Sequence, residues 1–326
     1  MKKIPDSIRK MPKVELHQHV DGSIPPAVTW RIMKRYDLNP VETLPEMKKL
    51  LQLQPGEEGS LLAYLDKFHF PMWITQFYEN IQQVSEAVVT AAAKDGVHTI
   101  ELRYAPVIHV YAGLTIRQAI RSVLAGLNRA KEKYPKLKAG LVVIAMRQHG
   151  PHVAKIIAKA AISEAEYLHN RSGVVGFDIA GPEDGFPPSR HLDAFQLIHR
   201  ENFHITIHAG EAFGAPSIHQ ALHYCRAHRI GHGTHLNEDV DLMNWVNDHR
   251  IPLVSFTGST RMGMHVGEVV GKRPVAVLGS DDEAQARRIK LIGDDPKATI
   301  LDAYRRLGAE PFKAALYPVE AARDAA

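Results

Sequence analysis

Eight short runs of β-branched and other apolar residues, separated by longer amphipathic stretches, constrain this chain more than any other feature. The runs are Val14 to His17, Thr99 to Tyr104, Leu141 to Ala145, Val174 to Ile179, His204 to His208, Arg229 to His232, Ile251 to Phe256 and Ile289 to Ile292. Their near-continuous hydrophobicity is that of strands buried on both faces, as in a parallel sheet. The stretches between them carry a helical period. Val84, Ala87, Val88, Ala91 and Ala92 mark one face of Ile81 to Lys94, and Ile120, Val123, Leu124 and Leu127 mark one face of Ile116 to Lys133. Val153 to His169 and Leu192 to His199 follow suit. Alternating strands and helices define a parallel α/β fold, and eight such units predict a closed (β/α)8 TIM barrel.

The segment Pro25 to Ile74 interrupts the alternation after the first strand. It holds no strand candidate, and Leu61, Leu62, Leu65, Phe68, Phe70, Met72 and Trp73 read as a helical insertion. Such helices either cover the barrel mouth or pack against its flank. No repeat, low-complexity tract or linker divides the chain, so residues 1–326 are expected to form a single barrel domain. With 326 residues, 45% of them hydrophobic, the chain can bury a core of that size.

A formal charge of +4 and a pI near 9.0 come from basic residues interspersed with acidic ones. A surface of that kind does not point to nucleic acid. The lone Cys225 excludes an internal disulfide and a cysteine-built zinc site. The N-terminus lacks an apolar signal region, and no apolar run approaches the roughly 20 residues of a membrane span. The expectation is a cytoplasmic protein with no membrane partner.

In a barrel, chemistry gathers at the C-terminal ends of the strands. Strand one ends in His17-Gln18-His19, strand five in His208-Ala209-Gly210-Glu211, strand six in His232-Gly233 and strand eight in Asp294-Asp295-Pro296. A His-x-His triplet arises by chance about once in a chain with 19 histidines among 326 residues. Its place at a strand end is what gives it meaning, because alternate strand residues point to one side. His17, His19 and His208 with the oxygen of Asp294 make a donor set suited to Zn2+, one per chain. Bound zinc lowers the pKa of water from 15.7 to about 7. Glu211, in a glycine-containing turn, is placed to carry a proton. His232 is placed to orient or deprotonate the attacking water. His219, His223 and His228 read as helix-surface residues and His235 as loop.

These pieces together resemble the adenosine deaminase family of metal-dependent hydrolases. Pro12 to Ser23 resembles the family's opening signature, and Phe177 to Glu183 its fourth-strand segment. His208-Ala209-Gly210-Glu211 and Arg229-Ile230-Gly231-His232-Gly233 are similar to two further signatures, in the same order. The resemblance implies deamination of adenosine or a related 6-aminopurine nucleoside, releasing ammonia. It implies zinc on His17, His19, His208 and Asp294. It also implies that Glu211 protonates purine N1, that His232 positions the attacking oxygen, and that Gly181 meets the purine edge through its backbone. Asp21 would face the ribose, and Asp295 a ring nitrogen.

The last third departs from that pattern. Val254 to Gly263 resembles a cofactor-side segment of aldehyde dehydrogenases, although no cysteine nucleophile follows it. Asp281-Asp282 also follows a strand-like run, Val275 to Leu278, and competes with Asp294-Asp295 for the metal. The resemblance implies a strand, then Asp-Asp-Pro, then a helix with a tyrosine, which Asp294-Asp295-Pro296 and Tyr304 match, so it favours Asp294, while acidic residues at 281 and 282 suit a helix start. Other readings are a deaminase of adenine, aminodeoxyfutalosine or an N6-substituted nucleotide, and a catalytically impaired nucleoside-binding homologue. A nucleotide would need cations near the mouth, for which Arg103, Arg147 and Lys67 are candidates.

Overall fold

The computed structural model describes residues 12–52, 66–165 and 172–254. Seven of the eight anticipated strands lie there. They are β1 (Lys13–His19), β2 (Val97–Tyr104), β3 (Lys138–Met146), β4 (Val174–Ala180), β5 (Thr206–Ala209), β6 (Arg229–His232) and β7 (Leu253–Val254). All pair in parallel and in chain order, as β1-β2-β3-β4 and β5-β6-β7. A parallel bridge between Phe177 and Ile205 joins the two sets. The run is curled. His17 on β1 reaches the Val254 carbonyl on β7 at 3.0 Å, whereas six flat strand spacings would hold those strands about 29 Å apart. The anticipated eighth run, Ile289 to Ile292, and the end of the seventh beyond Val254 lie outside the described residues.

Helices follow the strands as the periodicity predicts. They are α1 (Pro26–Arg35), α2 (Leu44–Leu50), α3 (His69–Ile74), α4 (Tyr78–Lys94), α5 (Ile116–Lys133), α6 (Pro151–Ala165), α7 (Leu192–Arg200), α8 (Ala215–His223) and α9 (Val240–Asp248). Their starts are written in the sequence. Thr43 with Glu46, and Thr115 with Gln118, close reciprocal capping boxes on α2 and α5. Asp239 accepts from the Leu242 amide at the start of α9. One cluster of buried apolar side chains runs from Val20 to Val246.

The described parts of the insertion are held against the flank by α1 and beside the mouth by α3. Arg35 and Tyr36, at the end of α1, bond to Asn80 on α4, which ties α1 to the flank. Every residue of α3 is buried, and the chain just after it is fixed to the loop beyond β2. There Thr75 bonds His109 at 2.8 Å, and Gln76 bonds the Ile108 carbonyl at 3.0 Å. α3 therefore lies beside the loop that follows β2. One local expectation is corrected: His228 is not on a helix. α8 stops at His223, the Ala227 amide turns back to the Ala221 carbonyl, and His228 lies in the bend before β6, where its Nδ1 accepts from the Ile205 amide.

α4 and α5 pack closely because residue 126 has no side chain. A Cβ there would lie 2.5 Å from the Gln82 carbonyl oxygen and 2.9 Å from the Glu86 amide nitrogen. Both are helix backbone atoms that cannot swing away. Gly126→Ala gains about 1 kcal/mol of helix propensity but overpacks at a cost of about 1–3 kcal/mol. The expected result is a net loss of stability, read as a lower urea midpoint at unchanged slope.

Candidate metal centre and active site

The strand-end histidines come together inside the mouth of the barrel. His17 Nε2 lies 2.9 Å from His208 Nε2, and His19 Nε2 lies 3.1 Å from the same atom. His232 is the fourth member, with a ring nitrogen within 4.8 Å of those on His17 and His208. The register of β1 against β2 is irregular between Glu15 and Gln18, at the start of the His17-to-His19 stretch. Gly231 leaves room for the His17 ring, since a Cβ at 231 would stand 2.9 Å from its Cε1 atom.

The electrostatics keep these rings neutral. Burial holds His17 and His208 well below the usual imidazole value, and the Arg103 guanidinium adds to the effect. Burial, again helped by Arg103, brings His19 to about 4 and His232 to about 3. His17 Nδ1 faces the Val254 carbonyl, and His208 Nδ1 stands 2.9 Å from Asp178 Oδ2. The Val254 carbonyl places the His17 proton on Nδ1, and the Asp178 carboxylate beside His208 Nδ1, although not aligned as a hydrogen-bond acceptor for it, favours the proton there electrostatically, which leaves a lone pair on each Nε2. Two lone pairs 2.9 Å apart repel unless a cation lies between them. Neutral imidazoles with converging lone pairs are the donors a zinc ion takes, so the residues present fit the metal that the sequence implies.

Asp178 and Arg103 hold this arrangement from below. Arg103 on β2 is fully buried and pairs with Asp178 on β4, which is equally buried. Arg103 also donates to the Leu16 carbonyl on β1 at 3.4 Å and to Thr206 Oγ1 on β5 at 3.2 Å. Asp178 in turn accepts from the His208 amide at 3.2 Å. Arg147 donates to the His208 carbonyl and, at 3.0 Å, to the Phe186 carbonyl. Arg103 and Arg147 are thus occupied within the protein and not presented to a phosphate. Lys67, the third candidate, is also buried.

Glu211 and His232 face one another, with His232 Nε2 at 3.4 Å from Glu211 Oε2. Gly210, Gly233 and His232 all take the left-handed backbone conformation, with φ of 70°, 69° and 70°. That conformation is ordinary for glycine and costly for histidine. It is held by two bonds, from the Gly233 amide to the Ala209 carbonyl and from the His235 amide to the Gly210 carbonyl. Gly181, just past β4, has φ 103°, and a Cβ there would meet Gln148 Oε1 at 2.5 Å. Asp21 sits in the turn after β1, and burial raises its carboxyl to about 6 against the pull of nearby backbone N–H groups. Asp281, Asp282, Asp294, Asp295 and the Phe256 segment lie outside the described residues.

Three buried groups have roles that the sequence did not reveal: Asp178 and Arg103, the latter a phosphate candidate by sequence, as partners of the histidine cluster, and Glu183 under the Glu211 loop. The signal was there for two of them. Asp178 is the one charge in the Val174 to Ile179 run, and Arg103 lies near the end of a run that also holds Glu101; a charge inside a strand buried on both faces needs a partner.

A parallel barrel with an imidazole cluster at the C-terminal ends of its strands defines a metal-dependent amidohydrolase. The sequence model of one family of these enzymes, adenosine deaminase, matches residues 12–289, and the chain belongs to the adenosine deaminase family. It is 36% identical over 290 residues to adenosine deaminase 1 of Streptomyces coelicolor, a match covering 84% of this chain and 71% of that protein. It is 38% identical over 297 residues to adenosine deaminase of Mycobacterium ulcerans, covering 89% of this chain and 76% of that one. Solved structures share the fold. Arabidopsis N6-mAMP deaminase aligns with a TM-score of 0.70 at 21% identity, covering 98% of each chain. A Burkholderia ambifaria amidohydrolase with bound Zn aligns with a TM-score of 0.69 at 17% identity, covering 93% of this chain and 83% of that one. The family is metal-dependent. Among the described residues, no helix is long and apolar enough to cross a membrane.

The buried histidines set the acid response of the metal-free protein. His17, His19, His109, His208 and His232 are held by burial below the ordinary imidazole value of 6.5, down to about 3 for His109 and His232. As pH falls below 6.5 the unfolded chain takes up protons that the folded chain refuses. Stability therefore drops by about 1.4 kcal/mol per proton of difference per pH unit until the folded values are reached. Asp21, raised to about 6, and Asp178, also raised by burial, oppose this, but they are two carboxyls against five rings. Urea midpoints of chelator-treated protein are expected to fall steadily from pH 6.5 to pH 4.5; a flat profile would contradict the burial of neutral rings.

Proposed function

We propose that this chain deaminates adenosine or a closely related 6-aminopurine nucleoside, adding water at C6 and releasing ammonia and the 6-oxo product. One observation carries the reading: three Nε2 atoms converge at the mouth of the barrel, within reach of a His–Glu pair. In this reading His17, His19 and His208 hold one zinc per chain, with Asp294 as the carboxylate ligand, and residues 1–326 form one catalytic domain. Zinc, when bound, supplies Lewis-acid activation of water near neutral pH.

The remaining steps belong to the chain's own side chains. His232, neutral by burial, accepts a hydrogen bond from the attacking water and orients it toward the purine face. Glu211, 3.4 Å away, gives a proton to ring nitrogen N1 as water adds to C6; of the two protons the water brings, one returns to Glu211 and the other goes to the amino group, which leaves as ammonia. Gly181 offers its backbone to the purine edge, where its left-handed conformation and lack of Cβ allow close approach. Asp295 contacts a ring nitrogen, and Asp21 bonds a ribose hydroxyl. Asp21 and the engagement of Arg103 and Arg147 within the protein favour a nucleoside over a nucleotide, as do the names of the relatives at 36% and 38% identity.

The test is ammonia release by the zinc-supplemented protein from adenosine, deoxyadenosine, adenine, AMP, aminodeoxyfutalosine and N6-methylated analogues. Adenosine and deoxyadenosine are expected to lead. A preference for AMP would overturn the nucleoside reading. Silence with zinc bound would favour the impaired homologue.

The carboxylate ligand has its own experiment. The family match ends at residue 289, so it takes in Asp281 but not Asp294. Asp294→Ala is expected to lower zinc content and abolish turnover while Asp281→Ala leaves zinc bound. The opposite pattern would move the ligand to Asp281.

A further inference from the structure

We propose that Glu183 is the residue that positions Glu211 for proton transfer, an inference that rests on reading Glu211 as the proton carrier. Glu183 follows β4 in the turn that begins at Gly181, and it is only 6% exposed. Both of its carboxylate oxygens are used. Oε1 accepts from the amides of Glu211 at 2.8 Å and Ala212 at 3.0 Å. Oε2 accepts from the Gly210 amide at 2.9 Å and from the Ser217 hydroxyl at the start of α8. Three consecutive amides thus close around one anion supplied by the chain itself, the kind of concave N–H cradle that binds anions elsewhere.

The chemistry admits few substitutes. A carboxylate is acceptor-only at both oxygens, and four donors point at this one. Glutamine would turn its NH2 toward two of them, leaving those donors buried and unmatched. The surroundings also support a buried charge. Burial lowers the Arg147 guanidinium below its ordinary value, and Glu183 is the largest of the charges that oppose the fall. Arg147 donates to the Phe186 carbonyl at 3.0 Å, and the Phe186 amide returns to the Glu183 carbonyl at 3.1 Å. The 183–186 turn, Arg147 and the 208–212 segment therefore form one hydrogen-bonded unit, and the direction of the Glu211 side chain is set by backbone that Glu183 holds. Glu183 acts through that backbone, which makes it a positioning residue.

Full-length, zinc-supplemented protein is compared as wild type, Glu183→Gln and Glu211→Gln, reading kcat and KM for adenosine and the zinc content. Glu183→Gln is expected to lower kcat about 30- to 100-fold, the loss typical of a misplaced catalytic group. KM and zinc content are expected to stay within about threefold. A kcat within threefold of wild type overturns the proposal, and so does a loss of zinc in step with kcat, which would mark a general structural role. Wild-type turnover by Glu211→Gln would refute the role of Glu211 instead. A second measurement needs no variant: in the wild-type holoenzyme, the 210–212 amides are expected to resist hydrogen exchange like strand ends. Exchange at the rate of an open loop would overturn the proposal even if Glu183→Gln fails to fold.

Discussion

Inside the barrel a guanidinium sits with no exposure to water. An isolated buried charge of that kind costs several kcal/mol even after relaxation, and removing its partner typically costs about 3–5 kcal/mol. Arg103 is tolerable because Asp178 meets it across the barrel and because carbonyl and hydroxyl oxygens from β1 and β5 take its other protons. The same pair shapes the chemistry above it. Asp178 lies beside His208 Nδ1 and favours the proton on that nitrogen, while the positive field of Arg103 disfavours a second proton on any of the four rings. A cluster of neutral imidazoles is thus the product of a charged pair one layer below.

Above that layer the geometry depends on where side chains are missing. Gly231 lies where the His17 ring crosses from the opposite side of the barrel, and Gly181 and Gly210 take backbone conformations closed to most residues. His232 takes such a conformation without being glycine. The strain is compensated by bonds from its neighbours to Ala209 and Gly210. Strained backbone at a strand end beside reactive side chains is a recurrent feature of catalytic sites.

Much of this was legible in the sequence because it was local. Buried strands, helix caps and the His-x-His spacing are properties of a few adjacent residues, and the strand-end rule places His17, His19, His208, Glu211 and His232 in one neighbourhood from sequence alone. The resemblance carried by four ordered motifs agrees with the family match. What escaped was set by closure of the barrel. β2 and β4 are not neighbours in the sheet, so nothing in the order of residues pairs Arg103 with Asp178. Likewise, Glu183 finds its donors on a segment some 27 residues further on. His228 misled for a local reason: the pattern of α8 runs on, but a left-handed residue at Arg226, φ 56°, ends it.

The loops at the mouth are bound to one another. Glu183, after β4, holds the amides that follow β5, and the Thr234 hydroxyl and His235 amide, after β6, both reach the Gly210 carbonyl. Barrels of this kind are often regarded as scaffolds whose loops vary independently, each free to drift toward a new specificity. Here three successive loops share a hydrogen-bond ledger, so a change in one alters the footing of the other two. New substrates for such a protein would be reached by concerted change in several loops, or through the insertion after β1, where variation leaves the shared bonds untouched.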